Sequence, residues 1–206
     1  MFTGIVTDIG SVIGVTRRND VQHLAIACHR FAPASLDIGA SIACAGICLT
    51  IIARDGAEGS ETVFEVEAGP ETLELTTASA WDIGTRINLE RPVKLGEELS
   101  GHLVSGHVDG VATIVAREDL GETTRFRFEA PESLARLIAP KGSVCLDGTS
   151  LTVNSVEGNV FDCVLIPHTL QVTTWNERRL GDKVNLEADI IARYVARLAD
   201  FPKTTG

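Results

Sequence analysis

Apolar and polar residues alternate in short runs rich in β-branched side chains along most of this chain, and turn residues break the alternation at short intervals. Val12–Thr16, Gln22–Ile26, Ser41–Ala43, Cys48–Ile52, Thr62–Val66 and Thr85–Leu89 read as six strands, bounded by Asn19-Asp20, Gly46, Asp55-Gly56 and Gly84. The pattern then starts again. Gly4-Ile5-Val6 returns as Gly106-His107-Val108, Ala45–Thr50 returns as Asp147–Thr152, and Ile83–Glu90 returns as Leu180–Glu187, in the same order. A period of half the chain indicates two copies of one compact domain, not a solenoid. Many short strands in each copy predict a closed antiparallel barrel, which hides the edges that a small open sheet would expose. The expected fold is therefore mainly β, with two tandem six-stranded antiparallel barrels.

Helical spacing is sparse. Ala32–Leu36 matches Ala130–Leu134, and Leu134, Leu137 and Ile138 extend the second member, so each half is expected to hold one short helix, longer in the second. Arg91–Glu98 is polar, has no counterpart and reads as the linker. After Glu187 the repeat ends, and Ile191, Tyr194, Val195, Leu198 and Phe201 recur every three or four residues as an amphipathic helix. Two readings stay open for it: a helix packed across its own barrel, or an oligomerisation helix. The expected division is 1–96, 97–187 and 188–206.

Composition narrows the function classes. Across 206 residues the formal net charge is −10, which repels a phosphate backbone, and no basic cluster offsets it. No nucleic-acid partner is expected. The longest uncharged run, Ile38–Ala53, has 16 residues, is short for a bilayer span and is broken by Gly39 and Gly46. No membrane association is expected, and with the repeat motif already under way at Thr3, no secretory leader. Five cysteines, an odd and sparse set, point to a reducing cytoplasm.

The polar residues at repeat-matched positions carry the candidate chemistry. Cys48 and Thr50, like Ser150 and Thr152, lie two apart and so share one face of a strand, each pair just after a glycine. Taken alone, Cys48 is better explained as a small buried cysteine, but the paired occurrence with Ser150 weakens that explanation. His102 and His107 are five apart, which places them on opposite sides of a regular strand, and Cys44 and Cys48 form no ligand spacing with His23 or His29. No metal is expected. Nucleophile elbow, phosphate loop and dinucleotide fingerprint are all missing from the sequence, so no cofactor is expected either.

Met1–Val6, Gly39-Ala40-Ser41, Cys48-Leu49-Thr50, Gly101–Val108, Lys141-Gly142, Asp147–Thr152 and Leu165-Ile166-Pro167 together resemble the riboflavin synthase alpha chain family. The resemblance runs nearly the whole length in order. It implies Greek-key topology for both barrels, a C-terminal helix that helps form a homotrimer, and active sites between the N-terminal barrel of one subunit and the C-terminal barrel of another. It also implies the reaction: two molecules of 6,7-dimethyl-8-ribityllumazine exchange four carbons to give riboflavin and 5-amino-6-(D-ribitylamino)uracil. Association with a separate lumazine synthase is a further partner it suggests.

By the same resemblance, Gly4, Ile5, Val6, Cys48, Leu49 and Thr50, with Gly106, His107, Val108, Ser150, Leu151 and Thr152, line two pockets. Glu67, Thr72, Lys141, Ile166, Pro167, His168 and Thr169 stand nearby. His102, His107, Asp147, Ser150, Ser41 and Cys48 are the candidates for proton transfer and polarisation, with no single base assigned. The copies differ at Ile5 against His107, Gly39 against Lys141, Ala45 against Asp147 and Cys48 against Ser150. His107 and Ser150 are thereby expected to carry the chemistry while ligand binding in the N-terminal pocket survives their loss. Two departures from the family are a small insertion within Glu67–Thr72 and His168 where the family often has Glu. The rival of another class is a non-catalytic chromophore binder of the lumazine-protein kind; a flavin-reductase-type barrel would need a nucleotide-binding domain for which no sequence remains.

Overall fold

A computed structural model describes residues 1–57 and 59–201. In the first half, β1 (Asp8–Arg18), β2 (Val21–Cys28), β3 (Ser41–Cys44), β4 (Ile47–Asp55), β5 (Thr62–Ala68) and β6 (Arg86–Glu90) close into an antiparallel barrel in the order β1-β2-β5-β4-β3-β6. All six strands expected from the alternation are present. Their inward positions, among them Val12, Leu24, Ile26, Ile42, Leu49, Ile51, Phe64, Val66, Ile87 and Leu89, form one apolar core. Breaks in register between Val12 and Gly14 and between Ile51 and Ala53 bend β1 and β4 so that the small sheet can close.

The second half repeats the plan with one change. Its strands are β7 (Gly110–Leu120), β8 (Thr123–Glu129), β9 (Ser143–Leu146), β10 (Thr149–Thr152), β11 (Ser155–Glu157), β12 (Val160–Leu165) and β13 (Lys183–Ala188). They curl in the order β10-β9-β13-β7-β8-β12-β11. Seven strands replace the six expected because the counterpart of β4 is split at Val153-Asn154. There the Val153 N–H donates to the Gly142 carbonyl, the Asn154 N–H donates to Asp162, and the Asn154 side chain accepts from the Val164 N–H. Asn154 thus turns its own strand away from the ladder. The core of this half is aromatic: Phe126, Phe128, Phe161 and Trp175 lie with ring centroids 5.3 to 6.1 Å apart.

The expected short helices are a 3-10 turn at Pro33–Ser35 and α2 (Glu132–Ala135). A second matched pair was not anticipated: α1 (Pro70–Leu75) and α3 (Pro167–Val172), each followed by a 3-10 turn, at Thr77–Ala80 and Thr174–Glu177. Proline at the first helical position was the available signal, since its missing N–H costs a helix start nothing. The last helix, α4 (Ile190–Ala199), buries none of its side chains in this chain. Ile191, Tyr194, Val195, Leu198 and Phe201 are 60% to 74% exposed, so of the two open readings the helix packed across its own barrel is not the one observed. Residues 202–206 of the expected C-terminal segment lie outside the described residues.

The two barrels meet about an approximate two-fold axis, and buried polar side chains define it. Phe2 and Val104, at matched positions, exchange both backbone hydrogen bonds, at 2.7 and 3.1 Å. The Asn88 amide donates to the Asp147 carbonyl and accepts from the Thr174 N–H; the Asn185 amide donates to the Ala45 carbonyl and accepts from the Thr77 N–H. Each asparagine therefore satisfies two backbone groups of the opposite barrel that burial would otherwise leave unpaired.

Candidate active site

The segments before each barrel, residues 1–7 and 103–109, contain no regular strand beyond the Phe2–Val104 bridge. A buried glutamate at the end of each barrel holds one of them. Glu90 accepts from the N–H groups of Thr3 and Gly4 and from the Thr3 hydroxyl, and Glu187 accepts from the N–H groups of Ser105 and Gly106. Burial pushes both carboxyls up, and these donors pull them back towards the charged form.

The held segments cross over. Gly4, in the segment that precedes the first barrel, accepts a hydrogen bond from the Ser150 N–H of the second at 2.8 Å; Gly106 accepts from the Cys48 N–H of the first at 2.8 Å. Both glycines require their lack of a side chain. Their φ values are +75° and +77°, and a Cβ would stand 2.6 Å from that of Ser150 or 2.5 Å from that of Cys48. His107 therefore shares a site with Cys48, and Ile5 follows the glycine that caps Ser150. His107 and Ser150, both expected to carry the chemistry, therefore stand in different half-sites, because the arms are exchanged between the copies.

The first half-site is a cleft of about 440 Å³ on the outer wall of the first barrel. Of the candidate residues, Cys48, Thr72, Gly106, His107 and Val108 line it, together with Glu71, Asp109 and Arg193, which were not anticipated. Asp109 had a readable signal, since it replaces Thr7 of the first copy. The second half-site gathers Gly4, Gly101, His102 and Ser150. His102 Nδ1 lies 2.7 Å from the Ser150 hydroxyl, and the backbone N–H of His102 donates to the Thr3 carbonyl at 3.1 Å. Burial lowers the His102 pKa, which favours the neutral ring. A neutral imidazole beside a hydroxyl can relay a proton.

Other expected residues take varied places. Cys48 and Thr50 share the outer face, as do Ser150 and Thr152, whereas Leu49 and Leu151 alternate inward and are buried in the two cores. Their side chains therefore face the cores and not the outer face that carries Cys48, Thr50, Ser150 and Thr152. Ser41 pairs with Thr50 and opens on a different cleft of about 430 Å³ beside Thr3, Ile5, Glu90 and Lys94. This cleft shares no wall residue with the first. Asp147 is 1% exposed and faces away from solvent: it pairs with Arg178 at 2.5 Å and accepts from the Asn185 N–H. Burial pushes its carboxyl up, with Arg178 opposing.

Lys141 is exposed and held at φ +66°, where the first copy has Gly39 at +87°. The Val66–Ile51 pairing puts Glu67 next to Thr50, and His23 stands 3.6 Å from Glu67 and 3.0 Å from Glu65. Ile166 caps α3 and Pro167 starts it, so exposed His168 and half-buried Thr169 occupy the positions that Glu71 and Thr72 hold on α1 in the first half-site. Among the described residues, no group of three His, Cys, Asp or Glu is arranged to hold a metal ion, and no helix is long and apolar enough to cross a membrane.

The lumazine binding domain model matches this chain twice, at residues 3–92 and 105–189. The riboflavin synthase of Brucella abortus is 56% identical over 203 residues, covering 98% of this chain and 100% of that one. The chain belongs to the riboflavin synthase family. The riboflavin synthases of Photobacterium phosphoreum and Bacillus subtilis are 35% and 34% identical, each covering 96% of this chain, and 88% and 89% of their own length. Among solved structures, LumP complexed with riboflavin superposes with a TM-score of 0.80 at 22% identity, covering 91% of this chain and 99% of that one. LumP complexed with 6,7-dimethyl-8-(1'-D-ribityl) lumazine gives 0.78 at 19% identity. These two likenesses establish the duplicated-barrel fold.

Proposed function

We propose that this protein is a riboflavin synthase, a transferase that moves four carbons between two molecules of 6,7-dimethyl-8-ribityllumazine and releases riboflavin and 5-amino-6-(D-ribitylamino)uracil. The observation that carries the reading is the crossed pair of half-sites, Cys48 with His107 and Ser150 with His102, inside a chain of two lumazine binding domains. A reaction between two copies of one molecule needs two similar seats and two different environments. Holding both rings in place makes a bimolecular encounter effectively unimolecular.

The acidic 7-methyl group of one lumazine gives up a proton, the carbanion attacks the other molecule, and eliminations divide the joined adduct. His102, kept neutral by burial and resting on the Ser150 hydroxyl, is suited to take and return that proton. Cys48, His107 and Thr72 seat the other lumazine, and Glu67 beside Thr50 offers acceptors to ribityl hydroxyls. Lys141, Ser41 and the Ile166–Thr169 turn complete the proposed contacts. No metal, nicotinamide or flavin enters this scheme.

The division into 1–96, 97–187 and 188–206 belongs to this reading, as do a cytoplasmic location and association with lumazine synthase. So does a homotrimer, supported by the uncovered apolar stripe of α4, which a second copy would bury. Turnover is the test: purified protein given the lumazine alone should generate riboflavin absorbance. Stoichiometric binding without riboflavin would replace this reading with the chromophore binder.

A further inference from the structure

Asp109 occupies the repeat position of Thr7, and both residues donate their N–H to the strand that closes their barrel, to Leu186 and Leu89 respectively. Only the second copy is followed by a helix, and only there is the position acidic. Asp109 is 9% exposed at its side chain, accepts from the Ala188 N–H, and takes both arms of Arg193 from α4 at 2.5 and 3.0 Å. Arg193 lies on the opposite side of α4 from the apolar stripe, and both it and Asp109 line the cleft that contains Cys48 and His107. A two-pronged guanidinium–carboxylate pair fixes orientation as well as distance.

We infer that Arg193 is a positioning residue: through Asp109 it holds the Gly106–Val108 arm over Cys48, and so ties the seating of α4 to the shape of the first ligand cleft. One face of α4 is left for a second copy of the chain, and the other clamps the arm. Docking of the helix and occupation of the cleft then favour each other reciprocally. This inference rests on the proposed lumazine site, but its first readout needs no ligand. Cys48 is half-buried under the arm while Cys28, Cys44, Cys145 and Cys163 are buried, so a thiol reagent applied to the folded protein reports how well the arm is seated.

Arg193→Gln and Asp109→Asn should each speed native-state labelling of Cys48 by about tenfold, the factor expected when a charge-assisted hydrogen-bonded pair is lost. Arg193→Lys should give a smaller increase, with the assembled mass unchanged in all three. Lumazine titration should then show weakened binding at the Cys48 half-site alone. Labelling at the wild-type rate in both Arg193→Gln and Asp109→Asn would overturn the inference. So would faster labelling that appears only when the assembly itself falls apart, since that assigns Arg193 to assembly alone. A wild type that binds no lumazine, with labelling still accelerated in the variants, would sink the functional reading and leave the clamp standing.

Discussion

Ala45 and Trp81 belong to the apolar core of the first barrel, whereas the same repeat positions of the second hold Asp147 and Arg178, paired at 2.5 Å. The tryptophan has moved by one helical turn: Trp175 stands where the first copy has Ala78, and its indole N–H donates to Thr149. Against this the axis is conserved between copies, with Asn88 matched by Asn185, Glu90 by Glu187 and Gly4 by Gly106. A group whose partners are buried backbone atoms, of the opposite barrel for the asparagines and glycines and of the arm before its own barrel for each glutamate, cannot change in one copy without leaving a buried polar atom unpaired. The freedom to diverge is therefore at the cleft walls and in each private core. Cys48 against Ser150, Glu71 against His168 and Thr7 against Asp109 are changes of that kind.

The comparison breaks most visibly at turnover. Ser150→Ala and His102→Ala should each slow riboflavin formation by roughly 10²–10⁴-fold, the range for losing a positioned proton-transfer group. Steady-state kinetics checks this. His107→Ala, in the other half-site, should act mainly on the half-saturating lumazine concentration, and an equal fall in turnover for His107→Ala would mean that the two half-sites do not differ in role.

Next come the cores. Trp175→Ala removes a fully buried indole from a cluster of three phenylalanines and should lower stability by about 3–5 kcal/mol. Trp81→Ala, at the rim of an aliphatic core, should lower it by less. Urea unfolding of the two variants gives the difference, and the reverse order would contradict the account of the second core as the aromatic one.

Much of this frame was legible in the sequence. Period-two alternation gave away all six strands of the first barrel, because its inward and outward faces differ sharply in polarity, and it put Cys48 and Thr50 on one face. The same alternation places Leu49 and Leu151 inside, on the face opposite Cys48, Thr50, Ser150 and Thr152. The split at Val153-Asn154 was hidden because it depends on a side chain competing for a ladder N–H, which leaves no mark in hydrophobicity. Arm exchange was hidden for a related reason: a repeat shows which positions are equivalent, not which copy each one touches. Only the shared need for glycine at Gly4 and Gly106 hinted that another backbone passes close by.

A smaller effect concerns pH. Burial lowers the His102 pKa from its ordinary 6.5, so the folded state binds its proton less readily than the unfolded chain does. The stability this contributes is full above the ordinary value and is lost as pH falls through the lowered one. Wild-type stability should decline more on acidification below about 6.5 than that of His102→Gln, as read by thermal unfolding across pH. Parallel curves would mean that the ring is not held neutral by the fold.

The smallest expected effect is at Lys141, held at positive φ where the first copy uses Gly39. Lys141→Gly should raise stability by about 1 kcal/mol through relief of that conformation while weakening lumazine binding. A gain in stability with unchanged binding would identify Lys141 as a turn residue with no ligand role.

The exchanged arms are the centre of this account, and ligand counting reaches them most directly. Riboflavin, the product and a non-reacting ligand, can be titrated calorimetrically into the wild type, His107→Ala and Ser150→Ala. The account predicts two sites per chain, with His107→Ala weakening one and Ser150→Ala weakening the other, so that the double variant loses both. If the two substitutions weaken the same site and spare the other, His107 and Ser150 share a pocket and the crossing of the arms does not build the sites.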